Sequence, residues 1–575
     1  MDEKHAFKAL ADKRTIAIAF SLLTVAFFWN LPTLDRFQHR IVGGGLGGLG
    51  GSANNAVASW CPLYEPPPSL DDGLDRSNKF GHHIYVLRQV ERLRAAVKVP
   101  TESYDDNGDV DVDPRWHTFD EFHETLRHLF PLVHEKLTLD KVNKYALLYT
   151  FPGASEHLKP VLFAAHQDVV PATSISKWTH PPYDGYYDRQ FLWGRGSSDC
   201  KNNLIGILSV VEDLLAQNWR PKRTILLAFG FDEETGGERG AAHLGTELEK
   251  RYGKHGLELI VDEGGMGLET VGNYVYAMPG VAEKGYVDII LRLDADGGHS
   301  SRPPKHNGIG MMAEMIIALE DNPFKPRLTR ENPYRGLLEC QVKYTPEEVE
   351  PWLKSALEKN EDGLALGARL AESRGRESQY SFQTSQAVDI IHGGNKINQL
   401  PESVTAAINY RIALHDSADS IKQSVFELLK PLARKHGLAV DAFGERKFEA
   451  LGDRATTGTL TITSELDLSP APISPTGADN SVWRLFASTV RQVFEDTPIL
   501  AGKTVVPVGD IQTGNTDTIH YWNLTQNIYR FSPSRTGTRF NAHTVDEKVD
   551  MLAHAEGMRF YYDLIRNFDD AAVGA

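Results

Sequence analysis

The stretch PVLFAAHQD, at residues 160–168, is a clear indicator of the fold class. Its apolar run before the polar HQD is typical of a strand that is buried on both faces. Similar short runs occur at KYALLYTF (144–151), RTILLAFGF (223–231) and LELIVDE (257–263). KNNLIGILSVVEDLLAQNW (201–219), by contrast, places its apolar residues at the spacing of a helix. Strands that alternate with helices in this way predict an α/β fold whose sheet contains parallel pairs.

Two further segments have a clear local pattern. Thr118 and Glu121 form a capping-box pattern, which predicts a helix that begins near Thr118. Apolar residues follow at helical spacing, namely Phe122, Leu126, Leu129 and Val133. KGYVDIILRL (284–293) instead alternates apolar and polar residues, which predicts a strand with one exposed face.

Residue types that bind metals follow the predicted strands or precede the predicted helix. They are His166, Asp168, Asp199, Asp232, Glu233, Glu234, Asp262 and Glu263. Because ligands of such sheets lie at the carboxyl ends of the strands, we expect these side chains to lie close together. One imidazole and several carboxylates suit a borderline metal such as Zn²⁺, and carboxylates crowded into one pocket repel one another without a cation. Any one of these residues alone is more often a cap or a turn residue, so the specific signal is the whole set.

Two short spacings indicate how such residues could work. A carboxylate two residues beyond a histidine points the same way on a strand, so Asp168 can orient the imidazole of His166. Of the adjacent carboxylates Glu233 and Glu234, one can bind a metal while the other takes a proton from metal-bound water. The chemistry that this pattern favours is therefore the activation of water by a metal ion.

The composition excludes several classes of protein. The 575 residues are 41% hydrophobic and 24% charged, which are ordinary values for a globular protein rather than for a disordered chain, a collagen or a polytopic membrane protein. Lysine and arginine number 61 against 77 acidic residues, a net charge of −16, so no nucleic-acid partner is expected. Cys61, Cys200 and Cys340 exclude a disulfide scaffold and a thiolate zinc finger, and they allow one bridge at most.

The N-terminal part predicts a membrane anchor. No charged residue occurs from Thr15 to Leu34, and a helix of that length spans the ~30 Å hydrocarbon core. Basic residues precede it, which favours a cytoplasmic tail at 1–14, an uncleaved signal anchor at 15–34 and a lumenal body. A cleaved signal peptide is the alternative. Residues 35–78, rich in glycine and proline, are expected to form a linker.

Four segments carry a resemblance to a known family: HQD (166–168), GRGSSDCKN (194–202), DEETGG (232–237) and VDEGG (261–265). Together they resemble the co-catalytic zinc peptidase family, which includes aminoacylases, dipeptidases, glutamate carboxypeptidases and desuccinylases. The resemblance extends over nearly the whole chain after the linker. The anchor and the linker fit a membrane-anchored fungal subgroup of Gly-X carboxypeptidases within that family.

The resemblance implies a two-part organisation. A catalytic domain with a mixed, largely parallel sheet flanked by helices would be formed by residues 79–284 and 466–575. An α+β lid or dimerisation domain, residues 285–465, would be inserted between these parts. A homodimer through the lid and a vacuolar location, reached by the secretory route, are further implications. Asn523 begins the glycosylation sequon Asn-Leu-Thr, whose use a lumenal location permits.

The family's roles carry over to matching positions, so the chain is expected to bind two Zn²⁺ per subunit. The implied metal ligands are His166, Asp199, Glu234, Asp262 and His543, the last within FNAHTVDEKV. Asp199 would bridge the two ions, Asp168 would orient His166, and Glu233 would be the general base. Asp262 would share one ion with His166. Cys200 stands where the family often has Asp or Gly; it is either an additional thiolate ligand or, as we expect, a buried neutral thiol.

Three residues of the predicted lid match positions that hold the substrate in the family. GGHSSRPP contains His299, which would bind the carbonyl oxygen at the transition state and which many members take from the partner subunit. GGNKINQLPESVTAAINYR contains Asn398 and Arg411, which would hold the free carboxylate of the substrate; a bidentate guanidinium suits that planar group. GNTDT resembles a loop near the family's site, but Asn515 stands where glycine is usual.

The resulting prediction is a two-zinc metallo-carboxypeptidase, which hydrolyses the C-terminal amide bond of short peptides of the Gly-X type. Glu233 would take a proton from zinc-activated water and return it to the leaving amine. The alternative is an N-acyl amino acid hydrolase that also works as a synthase, because it acts on the same bond type. A metal-free scaffold on the same fold is a third hypothesis, which the presence of all the expected ligands disfavours.

Overall fold

The computed structural model describes residues 57, 59–68, 70–265, 267–448 and 458–571. The predicted cytoplasmic tail, the anchor and the first half of the linker lie outside these residues. Among the described helices, none has the length and the apolar character that crossing a membrane requires.

The described strands and helices alternate along much of the chain. The strands are β1 (Thr138–Val142), β2 (Ala146–Phe151), β3 (Val161–His166), β4 (Tyr186–Tyr187), β5 (Phe191–Trp193), β6 (Ile225–Gly230), β7 (Leu259–Asp262), β8 (Gly267–Val271), β9 (Tyr274–Met278), β10 (Gly280–Glu283), β11 (Gly285–Ala295), β12 (Gly298–His299), β13 (Ser385–Gly393), β14 (Gln399–Leu400), β15 (Ser403–Ile412), β16 (Leu438–Ala442), β17 (Glu445–Phe448), β18 (Gly458–Leu468), β19 (Thr504–Pro507), β20 (Asp510–Gln512), β21 (Ile528–Arg530), β22 (Arg539–Phe540) and β23 (Lys548–Asp550). The helices are α1 (His83–Val97), α2 (Thr118–Leu129), α3 (Pro131–Lys136), α4 (Lys201–Ala216), α5 (Ala241–Tyr252), α6 (Gly308–Glu320), α7 (Pro333–Tyr344), α8 (Leu353–Glu358), α9 (Gly363–Gln379), α10 (Ala418–Lys435), α11 (Ser481–Glu495) and α12 (Met551–Asp570).

An eight-stranded sheet lies at the centre of the catalytic part, in the order β1-β2-β6-β3-β7-β21-β10-β20. β3 pairs in parallel with both β6 and β7, and β7 pairs in parallel with β21. Antiparallel pairs join β1 to β2, β2 to β6 and β10 to β21. All residues of β3 are buried, as expected for a strand that is covered on both faces. The predicted α/β fold with a mixed sheet and flanking helices is confirmed.

Side chains of this sheet enter two hydrophobic cores. Phe163 on β3 packs in the core that contains α1, α4, α11 and α12. Its neighbours Leu162 and Ala164 pack in the other core, with α5 and the start of α2. Because successive residues of a strand point to opposite faces, one strand serves both cores. Most residues of α4 are buried, which explains why its sequence is apolar nearly all round.

The helix predicted near Thr118 is present, but its predicted cap is wrong. α2 begins at Thr118, and His117 occupies the cap position without a side-chain hydrogen bond to the helix. A 3₁₀ turn, Pro114–His117, runs directly into α2, so Thr118 already has helical backbone angles. A capping box requires an extended residue at that position. The hydroxyl of Thr118 donates instead to the carbonyl of Pro100 at 3.1 Å.

A six-stranded sheet, in the order β13-β15-β11-β18-β16-β17, lies in the segment predicted as the lid. β11 alternates buried and more exposed residues, as the sequence pattern predicts, because α6 and α10 cover one face of the sheet. β11 pairs with β15 along the whole length of β15. Gly285 lies opposite Ile412 at one end, directly after β10 of the eight-stranded sheet, and Asp294 lies opposite Ser403 at the other end. These two ends of the lid sheet are about 30 Å apart at ~3.4 Å per residue.

Part of the segment predicted as lid packs against β20, the edge strand of the eight-stranded sheet, and against a three-stranded sheet in the order β19-β9-β8. Helices α7, α8 and α9 share a hydrophobic core with β9, β19 and β20. Cys340 on α7 forms a disulfide with Cys61, and Tyr344 donates a hydrogen bond to the carbonyl of Cys61 at 2.8 Å. The end of the predicted linker is therefore attached to the body, and Cys200 is the remaining thiol.

Candidate metal centre

The carboxyl ends of three adjacent parallel strands carry the predicted polar residues. His166 is the last residue of β3, Glu233 begins the turn after β6, and Asp262 is the last residue of β7. In the sheet, His166 lies opposite Gly230 of β6. Asp199 comes from the loop directly before α4. One edge of the sheet thus brings together the residues that the sequence places after its strands.

Among the groups of side chains that could hold a metal ion, two share Asp199. In the first, Nε2 of His166 lies 3.3 Å from Oδ1 of Asp199 and 3.1 Å from Oε1 of Glu263. In the second, Nε2 of His543 lies 3.2 Å from Oδ2 of Asp199 and 3.0 Å from Oε2 of Glu234. The two oxygens of Asp199 thus face two different histidines, which is the geometry of a carboxylate that can bridge two ions.

The chemistry of this donor set fits a divalent metal. The ligand atoms within each group lie within 4.8 Å of one another, and imidazole with carboxylate is a set that zinc accepts. Oε1 of Glu234 is buried and has no hydrogen-bond partner among the described residues. Burial also raises the pKa of Glu234 to about 7, because water no longer stabilises the anion. A cation held between these side chains would supply the missing stabilisation.

Asp168 connects His166 to the loop that carries Glu233 and Glu234. Nδ1 of His166, the ring nitrogen on the side away from Asp199, lies 3.0 Å from the backbone carbonyl oxygen of Asp168 and 3.2 Å from its Oδ1. The same carboxylate accepts hydrogen bonds from the backbone N–H groups of Glu233 and Glu234, at 3.2 and 3.1 Å. It also accepts the hydroxyl of Ser103 at 2.7 Å. Asp168 therefore lies where an orienting carboxylate would be, and it holds the neighbouring loop as well.

Glu233 has the surroundings of a proton acceptor. Its Oε2 lies 3.9 Å from Nε2 of His166, and its side chain forms no hydrogen bond with the described residues. Burial raises the pKa of Glu233 well above the usual range, and the nearby carboxylates of Glu263 and Glu234 raise it further, whereas His166 lowers it. A general base is most effective when its pKa is near the working pH.

The structure places Glu263, and not the predicted Asp262, beside His166. Oδ1 of Asp262 accepts the N–H of Glu263 at 2.8 Å, which turns this short carboxylate back toward its own backbone. Glu263 is one methylene longer and reaches His166 from the turn after β7. Gly264, with a φ of 106°, allows that turn. The geometry thus differs from the prediction by one residue.

His543 reaches the second group from a loop of the C-terminal part. Its φ is 62°, a left-handed backbone conformation that is uncommon outside glycine. Its side chain is 55% exposed, whereas that of His166 is 1% exposed. Hydrogen bonds to Asp199 and Glu234 raise the pKa of His543 to about 10. The second group is therefore the side of the centre that is open to solvent.

Cys200 belongs to the first group by distance, but it has the surroundings of a buried thiol. Its side chain is buried, and its Sγ accepts the N–H of His166 at 3.3 Å. Burial raises the pKa of the Cys200 thiol well above its ordinary value. Because the thiolate is the form that binds metals, these surroundings favour the buried-thiol interpretation of the sequence.

His299 and Asn398 lie together at the far end of the lid sheet. His299 is exposed on β12, where it pairs with Gln399 of β14, and its Nδ1 accepts the N–H of Ser301 at 3.1 Å. The carbonyl of Asn398 accepts the N–H of Ser300 at 3.3 Å. This pair therefore forms one short ribbon.

Arg411 lies near the opposite end of the lid sheet. It pairs with Tyr286, close to the start of β11, and its guanidinium donates to Oδ1 of Asn515 at 3.1 Å. Asn398 precedes the first residue of β15, so about 27 Å of strand separates it from Arg411 at ~3.4 Å per residue. Within one chain, these two residues do not meet at one carboxylate as the sequence interpretation has it.

Two residues have contacts that the sequence interpretation does not assign, namely Asn515, which the sequence marks only as standing where glycine is usual, and Asp517. Asn515 joins Arg411 to the carbonyl of Lys284, to which its Nδ2 donates at 2.7 Å. Asp517 is buried with one oxygen lacking a partner, in space that the absent side chains of Gly230 and Gly237 leave open. Both residues lie within or beside motifs that the sequence draws attention to. The motifs signal the location, but the role of each residue depends on side-chain directions.

Comparisons with known proteins show which family the chain belongs to. The family described as Peptidase family M20/M25/M40 matches residues 162–567. Carboxypeptidase S of Saccharomyces cerevisiae is 38% identical over 500 residues, which are 84% of each chain. The N-fatty-acyl-amino acid synthase/hydrolase PM20D1 of Mus musculus is 32% identical over 486 residues, 83% of this chain and 87% of that protein. Human carnosine dipeptidase 1 has a similar fold, with a TM-score of 0.59 and 14% identity over 88% of this chain and 100% of its own.

The matched residues extend from β3 to α12 and include each member of the two ligand groups. The family resemblance predicted from the sequence is thereby confirmed. The predicted enzyme class, a hydrolase of the metallo-carboxypeptidase type, is confirmed with it. The chain belongs to peptidase family M20/M25/M40.

Proposed function

We propose that the chain is a two-zinc carboxypeptidase, which hydrolyses the C-terminal amide bond of short peptides of the Gly-X type. The observation that carries this proposal is the position of Asp199, whose two oxygens lie 3.3 Å from His166 and 3.2 Å from His543. Glu263 would complete the ligands of one ion and Glu234 those of the other. Three protein ligands for each ion leave a position for water or substrate, as catalytic zinc sites require.

Zinc bound there would lower the pKa of a water molecule and polarise the carbonyl group of the substrate. Glu233 accepts the proton of the attacking water and later returns it to the leaving amine. Asp168 keeps His166 and the loop of Glu233 in one arrangement through the contacts described above. The base and the ligands are therefore held in place before the substrate arrives.

Arg411 is the residue that we propose holds the free carboxylate of the substrate. Among the described residues it contacts no carboxylate; its guanidinium donates to Asn515 and lies 5.2 Å from the ring of Tyr286. Burial, and then the charge of Arg411, lower the pKa of the neighbouring Lys284 to about 7. A substrate carboxylate would supply, in bidentate fashion, the ion-pair partner that Arg411 lacks among the described residues. The enzyme would thus act at a free chain end.

A cavity of about 380 Å³ opens beside the ligand groups. It adjoins the centre through Ser198, which precedes Asp199, and Ala542, which precedes His543. The lining also includes Gly265, Gly267, Ser532, Ser534, Thr536, Gly537, Arg539 and Asn541, with Phe540 as a large apolar member. Polar and apolar groups both line this cavity, and the apolar share of its surface is the larger.

We propose that two chains form a homodimer through the lid. β13 is an edge strand of the lid sheet, and exposed apolar residues lie on it and on α6, namely Ile309, Ile317, Ile390 and Ile391. Edge strands with apolar residues are prone to pair with a second chain. In such a dimer, His299 of the partner subunit would lie at the metal centre of this chain. The ~27 Å of β15 that separates Asn398 from Arg411 within one chain would then no longer keep these two positions from sharing a site.

Mixed dimers test this arrangement. His299→Ala and Glu233→Gln should each be inactive, but co-expression should restore about one quarter of the activity, because half of the dimers then have one intact site. The activity and the sedimentation coefficient of each preparation should both be measured. The matched control is co-expression of His299→Ala with Glu238→Gln. Absence of restored activity in dimers of demonstrated mixed composition would contradict the exchange of His299.

The substrate proposal can be tested with three related compounds. We expect an N-blocked Gly-Leu dipeptide to be cleaved and its C-terminal amide to be cleaved about 10²-fold less efficiently, because loss of one partner of a buried charge pair costs about 2–5 kcal/mol. Arg411→Gln should abolish this difference, whereas Arg292→Gln, on the exposed face of β11, should keep it. Zinc content should be measured alongside.

The third compound, a long-chain N-acyl amino acid, separates the two candidate activities. The similarity to the N-fatty-acyl-amino acid synthase/hydrolase is the observation that favours this alternative. Cleavage of this compound without cleavage of the dipeptide would replace the proposed substrate by the alternative. A folded protein with no bound zinc and no turnover would support the scaffold hypothesis.

We propose a lumenal location for the body, with the vacuole as the final compartment and a signal anchor at 15–34. The disulfide between Cys61 and Cys340 supports this, since such bonds persist in oxidising compartments. Asn523 is exposed, so its sequon is accessible to a glycosyltransferase. Glycosidase treatment of the native protein should increase its mobility, and Asn523→Gln should remove that shift. Native protein with both cysteines reduced and no glycan would contradict the proposed location.

A further inference from the structure

Glu547 is a buried carboxylate that the proposed mechanism does not use. Its side chain is 0% exposed. Oε2 accepts hydrogen bonds from Nη1 of Arg195 at 2.6 Å and from the N–H of Gly196 at 3.1 Å. Oε1 accepts the N–H groups of Ser198 and Asp199, at 2.8 and 3.1 Å. All four donors belong to the loop that ends at Asp199.

These hydrogen bonds fix the shape of that loop. The carbonyl of Glu547 also accepts the N–H of Gly194 at 2.9 Å, so the loop is bound through both the backbone and the side chain of one residue. An ionised carboxylate has about four acceptor positions, and all of them are occupied by this loop. Hydrogen bonds to an ionised group are shorter and stronger than neutral ones. The direction of the Asp199 side chain therefore depends on Glu547.

We propose that Glu547 is a positioning residue of the metal centre, which holds Asp199 so that its oxygens face His166 and His543. This inference rests on the proposed two-zinc function. The segment that contains Glu547 also supplies His543, so one segment brings a ligand and fixes the bridging carboxylate of another loop. Arg539, just before this segment, adds a hydrogen bond to the carbonyl of Ser198.

The inference predicts a loss of zinc affinity when Glu547 is changed. Glu547→Gln should weaken zinc binding about 10–100-fold, the usual effect of losing a partner that orients a metal ligand. A carboxamide has one acceptor oxygen and presents donor hydrogens to N–H groups that need an acceptor. Zinc affinity is measured by competition with a chromogenic chelator on the folded protein. In the metal-free protein, amide hydrogen exchange at Ser198 and Asp199 should also become faster.

Two further variants separate positioning from simple loss of stability. Glu547→Asp keeps the charge but is shorter, so it should recover part of the zinc affinity that Glu547→Gln loses. Glu212→Gln is the matched control, because Glu212 is also buried and accepts the N–H groups of Leu132 and Val133 at 3.1 and 2.9 Å. This control should lower the unfolding temperature and leave zinc affinity unchanged.

The outcomes distinguish this inference from the function on which it rests. If the wild type binds zinc and both Glu547 variants bind it equally well, the inference is overturned and the proposed function stands. If the folded wild type binds no zinc, the proposed function fails and the inference fails with it. If Glu547→Gln does not fold, the comparison of Glu547→Asp with the wild type and with Glu212→Gln decides the question by the same titration.

Discussion

Glu233→Gln should lower kcat about 10³-fold while both zinc ions remain bound, because general acid–base catalysis contributes about 10²–10⁴-fold. Glu233 is in neither of the two groups that share Asp199, and its Oε2 lies 3.9 Å from Nε2 of His166. A glutamine of the same size keeps the contacts of the loop, since Asp168 binds the backbone N–H of Glu233 and not its side chain. The measurement is kcat beside zinc content.

Glu238→Gln is the matched control for this variant. It makes the same chemical change in the same loop, but Glu238 is exposed, so kcat should change by less than about 2-fold, as is usual for surface substitutions. Loss of zinc together with activity in Glu233→Gln would mean that Glu233 is a metal ligand. The third group of side chains, His166 with Glu233 and Glu234, has distances that allow such a role. Full activity in Glu233→Gln would remove Glu233 from the mechanism.

The catalytic sheet and the location of the site could be predicted from the sequence because both depend on local patterns. Continuous apolar runs mark β2, β3, β6 and β7. Because β3, β6 and β7 are parallel, the polar residues that follow these three strands meet at one edge of the sheet. The alternation in β11 similarly reports a strand covered on one face. In these cases one short segment contains all the information that the prediction needs.

Other features depend on contacts between distant segments, which no single segment specifies. The sequence allows any pairing of three cysteines, and the bridge between Cys61 and Cys340 spans 279 residues. The cap at Thr118 fails because a preceding 3₁₀ turn makes that residue helical. Asn398 and Arg411 are near neighbours in sequence, but the extended strand between them carries them far apart. Short sequence separation along a strand does not bring side chains together.

For the metal ligand after β7, the sequence indicates Asp262 whereas the geometry indicates Glu263. Glu263→Gln should weaken zinc binding by more than the ~10–100-fold typical of residues that only orient a ligand. Its Oε1 lies 3.1 Å from Nε2 of His166, and an amide cannot supply the negative charge of that carboxylate. About one zinc ion per chain, instead of two, should remain after dialysis against a chelator, with a corresponding loss of activity.

Asp262→Asn is the matched change at the adjacent position, and it should retain both zinc ions. Oδ1 of Asp262 accepts the N–H of Glu263 at 2.8 Å, an acceptor that asparagine keeps, while Oδ2 is buried without a partner. Burial raises the pKa of Asp262 to about 7 when no metal is bound, so in the metal-free protein at about pH 6 this side chain is largely neutral, like the amide that replaces it. Zinc content measured on both variants at that pH decides between the two carboxylates. Zinc lost from Asp262→Asn but kept by Glu263→Gln would restore the ligand set implied by the family resemblance. It would mean that the turn after β7 changes on zinc binding, so that Asp262 replaces Glu263 beside His166.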